Sequence, residues 1–439
     1  MITLSFTVRN HKSIRDQVTL DLARPSLRTL RPKDGDWSSV TYPLTGIFGG
    51  NATGKSAVLD ALKHTFLAIR DSATSWQADR SMRRHPFLLD GTVRESASLY
   101  ELDFVHEGRR HLYGFEVDAG GIKREWLKDV PATRWRTLLD RDRERSSIKL
   151  HSSIRSVGRV TSRELVLSRA LLLDHPQLRP IAEDLTSSFD LVSVKDSHRD
   201  QRLRGIADSL ADKSIDFADI ETLLQVADVG VTKVTLEEQN LPENVRTILA
   251  RLDRELRDGV EGSGASESER EELDDEDSEL VIRSLLLTHR GTSESPPFSI
   301  HQESDGTIAW LAIAVPALEV LRWGGLLCVD EIDASLHPHL LEVLLGVFAD
   351  PLINSKQAQL VFTSHETYVL SPLSDVTLEP EQVWFTDKTY EGATALTCLA
   401  DYPRHPDANV AKRYLLGRYG GTPRLSPSAL ASLVDTQVN

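Results

Sequence analysis

The hydrophobic pattern of this 439-residue chain changes period several times. Ile2 to Val8 (ITLSFTV) alternates apolar and polar residues and predicts a strand, with a second near Val18 to Leu22. Leu44 to Phe48 is an apolar strand, and Ser56 to Ile69 carries the three-to-four-residue spacing of a helix. Between Ser98 and Val130 the period falls to two. That stretch predicts three short antiparallel strands, with turns at Glu107-Gly108 and Gly120-Gly121. Helical periodicity dominates from about Ser162 to Asp258, broken by a strand-like Val229 to Leu236. Leu280 to Leu287 reads as a strand and Thr307 to Leu321 as a helix. Strand Leu326 to Val329, helix Leu336 to Phe348 and strands Leu360 to Thr363 and Gln382 to Phe385 follow.

The continuous apolar runs near both ends are those of buried parallel strands, so the expected fold is α/β, with a mostly parallel sheet covered on both faces and an antiparallel β lobe. The expected organisation is residues 1–160 as one half of the main domain and 281–439 as the other. Residues 161–280 form a helical insertion ending in a flexible acidic loop. That loop, Glu261 to Glu279, holds ten acids against Arg270 and so supplies nine of the fifteen net negative charges. The remaining body is near charge balance. The overall net charge of −15 argues against non-specific coating of DNA and leaves room for a local DNA site. No apolar run approaches the roughly 18 residues of a membrane span, so no membrane partner is expected. The alternating, charged start does not read as a signal peptide. Cys328 and Cys398 alone cannot build a disulfide framework or a cysteine-rich zinc site, and fit a cytoplasmic location.

The chemistry centres on Gly49 to Ser56, GGNATGKS, which fits the phosphate-loop pattern G-x-x-x-x-G-K-[ST] between a strand and a helix. Gly49, Gly50 and Gly54 allow the backbone to turn its N–H groups toward phosphate, with Asn51, Ala52 and Thr53 completing the nest. Lys55 then reaches the β- and γ-phosphates of ATP, and the Ser56 hydroxyl ligates Mg²⁺. Asp330 and Glu331 end an apolar strand, where one carboxylate can hold Mg²⁺ and the other polarise the attacking water. His365 ends the next strand, LVFTSH, within reach of the γ-phosphate or that water. Glu303 to Thr307 opens a helix, and Ser304 and Gly306 make its N-terminus a second anion site.

In order, FTVRNHKSI, GGNATGKS, ESDGT, LLCVDEIDASLHP and VFTSH make the sequence resemble ABC-type ATPases of the SMC and DNA-repair kind. It looks most like short bacterial AAA/OLD-like ATPases of phage-defence systems, of the abortive-infection and PARIS type. The resembling parts fill more than half of the chain. The resemblance implies an ABC/SMC-type P-loop ATPase head that hydrolyses ATP with Mg²⁺ and dimerises head to tail around two ATPs. Ser304 and Gly306 of one copy would then contact the γ-phosphate held by the other, with scope for higher oligomers. By the same resemblance Asp333 to Pro338 corresponds to the D-loop and His365 to the switch histidine. Thr307 stands where transporters carry the signature glutamine, HPFLLD at His85 to Asp90 takes the place of a Q-loop glutamine, and no zinc-hook Cys-x-x-Cys is present. Arg413 to Pro423 resembles the tail of short defence ATPases and reads physically as a helix closed by Gly417.

The expected function is an ATP-driven switch in antiphage defence, triggered by DNA or a phage protein and controlling a separate effector, a nuclease. The alternative is a repair or recombination ATPase acting directly on DNA. Arg80-x-x-x-x-His85 also matches a loose ribonuclease pattern, although it lies where the ATPase needs its own loop.

Overall fold

The computed structural model describes residues 1–79, 81–193, 196–213, 215–227, 230–240, 281–291, 296–403 and 409–422. The acidic loop, Arg80 and Pro423 lie outside the described residues. The chain divides into two compact units, residues 1–194 with 316–439, and residues 195–315.

The first unit is built on two sheets. The strands are β1 (Ile2–Arg9), β2 (Val18–Asp21), β3 (Leu44–Phe48), β4 (Ser98–His106), β5 (Arg109–Asp118), β6 (Gly121–Asp129), β7 (Arg136–Asp142), β8 (Ser147–Leu150) and β9 (Phe189–Ser193). An antiparallel sheet has the order β2-β1-β4-β5-β6-β7-β8. The three strands expected between Ser98 and Val130 are present. Glu107 and Gly108 both take positive φ (48° and 73°), as a tight hairpin turn requires. The second turn is one residue earlier than expected, at Ala119-Gly120, because Gly121 already belongs to β6.

The second sheet has the order β16-β15-β3-β14-β13-β9. It uses β13 (Leu326–Asp330), β14 (Gln359–Ser364), β15 (Val383–Lys388) and β16 (Thr394–Cys398), and only β16 runs antiparallel to its neighbour. β9 corrects the helical reading of its region. FDLVS is a five-residue edge strand with Asp190 and Ser193 in it, so it has neither an apolar run nor clean alternation.

Helices α1 (Lys55–Asp71), α2 (Gly91–Glu95), α3 (Val166–Leu172) and α4 (Arg179–Ser187) complete the N-terminal part. The apolar face of the antiparallel sheet (Tyr100, Leu102, Phe104, Tyr113, Phe115, Leu127, Leu139) shares one core with Val58, Leu62, Phe66 and Ile69 of α1 and with residues of α3 and α4. Gln359, 2% exposed, stitches the two sheets together. Its amide accepts from Thr3 N at 2.6 Å and donates to Thr3 O at 2.8 Å and Tyr42 O at 3.3 Å, a side chain acting as a short strand.

The second unit has its own core. Helices α5 (Asp196–Ala211) and α6 (Phe217–Val226) pack with strands β10 (Val231–Asn240), β11 (Val281–His289) and β12 (Phe298–Ser299). Leu203, Ile220, Leu224, Val234, Leu285, Leu287, Ile308 and Leu311 are buried together. Ile308 and Leu311 lie on α7 (Asp305–Trp323), which crosses into the first unit at Pro316. By length and composition α7 is the one helix among the described residues that could span a membrane, but two thirds of it is buried within the fold. Helices α8 (Pro338–Ala349) and α9 (Val410–Leu415) belong to the first unit.

Gln359→Leu keeps the volume and removes Thr3's backbone partners. We expect it to lower unfolding free energy by about 2–3 kcal/mol, measured by chemical denaturation.

Candidate functional site

Three neighbouring strand ends assemble the site. β3, β14 and β13 lie side by side in register, Phe48 opposite Ser364 and Phe362 opposite Val329. The segments leaving their carboxyl ends therefore emerge together, where open α/β sheets collect ligands. These segments are the Gly49–Gly54 loop, Ser364-His365, and Glu331 to Asp333.

The loop needs its glycines for space. A Cβ on Gly49 would lie 2.3 Å from Thr386 Oγ1, and one on Gly54 only 2.0 Å from Thr394 Oγ1. Gly54 also holds φ at 109° as the N-cap of α1, and Ala52 is left-handed at 62°. Asn51 and Ala52 are exposed at the tip, whereas Thr53 and Lys55 are buried. The first turn of α1 faces the loop with N–H groups that no helix can satisfy internally.

Lys55 Nζ donates to Gly49 O at 2.7 Å, Gly50 O at 3.1 Å and His365 Nδ1 at 3.1 Å. Burial lowers its pKa to about 8, against the opposing pull of Asp330, Glu331 and Asp333. A histidine that accepts at Nδ1 carries its proton on Nε2, and that nitrogen lies 3.9 Å from Glu331 Oε1. The carboxylate of Asp333 receives the His365 backbone N–H, 3.3 Å from each oxygen.

Asp330, 7% exposed, is the hub. Its Oδ1 accepts from Ser56 Oγ at 2.9 Å and from Thr363 Oγ1 at 2.7 Å. Thr363 Oγ1 in turn accepts the Glu331 N–H at 2.7 Å. Glu331 holds φ at 58°, a conformation that costs a non-glycine residue about 1–2 kcal/mol and swings its carboxylate out of the sheet toward His365. The structure thus brings together Gly49, Gly50, Lys55, Ser56, Asp330, Glu331 and His365. Ser304 and Gly306 belong to the other unit, where Ser304 Oγ accepts the Thr307 N–H at 3.1 Å and opens α7 as its cap.

Several supporting groups escaped the sequence reading. Thr386 Oγ1 meets Thr53 Oγ1 at 2.7 Å, Thr394 Oγ1 donates to Thr53 O at 2.9 Å, and Lys388 Nζ to Ala52 O at 3.1 Å. The C-terminal segment also closes on the loop, since Gly421 O accepts the Gly50 N–H. Tyr414 and Tyr419 stack on Phe385 with centroids 5.2 and 5.1 Å away. The N-H-K of the first strand's exit has a comparable role. His11 joins Tyr100 (2.8 Å) to Asp60 of α1 (2.9 Å), while the Asn10 amide holds Phe87 N and Val93 O. Local sequence carries no signal for such contacts, beyond the small hydroxyl residues at strand ends.

Chemically, the loop and Lys55 can hold an oxyanion. Ser56 and Asp330 present two hard oxygens suited to a divalent cation, and the Glu331–His365 pair can orient and polarise a water. Thr363→Val removes the hydroxyl that serves both Asp330 and the Glu331 N–H. A stability loss of about 1–3 kcal/mol is expected by denaturant titration.

No curated protein matches the chain. Solved structures with a similar course include an SMC head bound to the C-winged helix domain of ScpA, at 12% identity and TM-score 0.45, covering 91% of this chain and 97% of that one. A Pyrococcus furiosus SMC head with an extended coiled coil, bound to the C-terminal domain of ScpA, matches at 13% identity and TM-score 0.37, covering 90% and 96%. Residues 44–371, well over half of the chain, match the family described as "AAA domain, putative AbiEii toxin, Type IV TA system". The chain belongs to this AAA-domain family.

Proposed function

We propose that the chain is a Mg²⁺-dependent ATPase whose ATP-driven dimerisation controls a separate effector, a nuclease, in bacterial antiphage defence. The observation that carries the ATPase reading is the convergence of Lys55, Ser56, Asp330, Glu331 and His365 from three adjacent strand ends. The glycine cradle and the two hard oxygens fit ATP and Mg²⁺. Gly49 to Ser56 would hold the phosphates, and Ser56 with Asp330 the metal. The metal supplies neutralisation of phosphate charge. Lys55 binds and orients the terminal phosphates, Glu331 takes the proton of the attacking water, and His365 holds that water in line. In this reading the head is built from the two ends of the chain, and the insertion expected at 161–280 is moved to the compact unit at 195–315, because β9 at Phe189–Ser193 pairs with β13 in the parallel sheet. The family description carries the words "putative AbiEii toxin, Type IV TA system", and the place in defence rests on the resemblance of the motifs to short defence ATPases. Ser304, with Gly306 two residues on, caps a helix N-terminus suited to a γ-phosphate presented by a second copy.

Glu331→Gln should bind ATP, lose on the order of 10²–10³ in turnover, and accumulate as a dimer in light scattering with ATP. A monomer at every ATP concentration would count against the two-site arrangement. Lys55→Ala should weaken ATP binding by about tenfold or more, since a charge-assisted contact is removed. Tagged Glu331→Gln protein from its host, purified with and without ATP, tests the effector. A co-eluting nuclease supports the switch, whereas DNA alone moves the reading to repair.

The pH dependence has a definite sign. Free Lys55 loses its proton near pH 8, and a phosphate anion favours the ammonium form, so binding raises its pKa. ATP affinity should therefore fall as pH rises through about 8, with proton uptake on binding. Calorimetry in buffers of different ionisation enthalpy checks both.

A further inference from the structure

The outer face of the antiparallel sheet carries a second concave site. One cross-strand row runs from Glu101 on β4 through Gly114 on β5 and Trp126 on β6 to Asp140 on β7, each directly paired with the next. Such residues share one face, here opposite the buried Tyr100, Tyr113, Phe115, Leu127 and Leu139. Gly114 makes the geometry possible. A Cβ there would meet Trp126 Cζ2 at 2.4 Å, so the indole lies down across β5 only because that strand has no side chain at this point. Its N–H then reaches Glu101 Oε2 at 2.9 Å, one strand beyond. Arg124 and Lys128 flank Trp126 two residues to either side, with the guanidinium carbon 5.9 Å from the ring centroid. Together with Thr137 these residues line a cavity of about 390 Å³.

Several other charges on the sheet are paired, Arg9 with Glu116, Arg110 with Asp103 and Arg143 with Asp118. In the cavity, the side chains of Arg124 and Asp140 have no hydrogen-bond or ion-pair partner among the described residues, and Lys128 has no contact closer than the electrostatic pull it shares with the Glu101 carboxylate, which itself accepts the Trp126 N–H. Two cations without a close partner and one free carboxylate, with Glu101 already engaged by the indole N–H, surround an aromatic face and narrow the ligand. A simple anion leaves Asp140 opposed, a cationic peptide leaves Arg124 and Lys128 opposed, and an apolar ring uses none of the three. A nucleotide satisfies all of them, because its phosphate pairs with the cations, its base stacks on indole, and an amino-substituted base edge donates to carboxylate.

We propose that this cavity binds one nucleotide unit with an amino-substituted base, stacked on Trp126, its phosphate on Arg124 and Lys128 and its amino edge on Asp140. A free nucleotide and one residue of a single strand share that chemistry. The site draws on nothing in the Lys55 loop.

The test uses the full chain carrying Lys55→Ala, which weakens nucleotide binding at the phosphate loop, so that failure here leaves the ATPase reading, tested separately by ATP binding and turnover, untouched. GMP, AMP, UMP and a twelve-nucleotide oligodeoxyadenylate are titrated by calorimetry at low salt. GMP and AMP should bind more tightly than UMP. Trp126→Leu and the exposed Arg124→Ala should each weaken binding by about tenfold, and Asp140→Asn should abolish the preference over UMP. Oligodeoxyadenylate binding tenfold tighter than AMP assigns the site to a strand, and equal affinity assigns it to the free nucleotide. No binding by any of the four, or affinities unchanged by Arg124→Ala and Asp140→Asn in folded protein, overturns the proposal.

Discussion

One carboxylate oxygen ties the structure together. Asp330 Oδ1 accepts two hydroxyl hydrogen bonds, from Ser56 at the start of α1 and Thr363 at the end of β14, while its own backbone ends β13. A buried carboxylate without partners costs several kcal/mol, so these contacts constrain the relative heights of two strands and a helix. The constraint then propagates. With Thr363 fixed, the Glu331 N–H has its acceptor, and the left-handed Glu331 backbone turns the side chain toward His365. With α1 fixed, Lys55 sits against the loop carbonyls and the His365 ring.

The loop is stiffened from behind as well. Thr386 and Thr394 fill the space that the glycines leave, Lys388 holds the carbonyl of Ala52, and Gly421 closes on Gly50. A loop built from left-handed and side-chain-free positions carries strain, and such strain persists only where its surroundings over-determine it. The aromatic stack of Phe385 with Tyr414 and Tyr419 anchors the closing segment. At the far end of the sheet, Gln359 completes the backbone hydrogen bonding of β1 and locks the antiparallel sheet to the parallel one.

Much of this was legible from the residues. A strand, a glycine loop and a helix leave few alternatives at Gly49 to Ser56, and apolar runs ending in Asp330-Glu331 and in Thr363-Ser364-His365 mark buried strands with polar ends. Their being neighbours was an inference from fold logic, and the register of β3, β14 and β13 supplies it. Other features were not legible. β9 is too short and too polar to announce itself, and Phe189 on it stacks on Phe66 at 4.0 Å through a partner more than a hundred residues away. Nothing in the local sequence marks Trp126, because its orientation depends on an absent side chain at Gly114 on the neighbouring strand.

The sequence by itself determined the elements with strong local periodicity and the chemistry of residues fixed by their neighbours in the chain. Backbone turning, apolar runs and helix starts are local properties, so a short window suffices to read them. Tertiary structure alone decided which residues share a hydrogen bond or a cavity. Asp330 with Ser56, Gly421 with Gly50, and Gly114 with Trp126 and Glu101 are contacts of strand register and close packing. Those depend on how the whole core closes, since a shift of one residue in one strand would turn every such side chain to the opposite face.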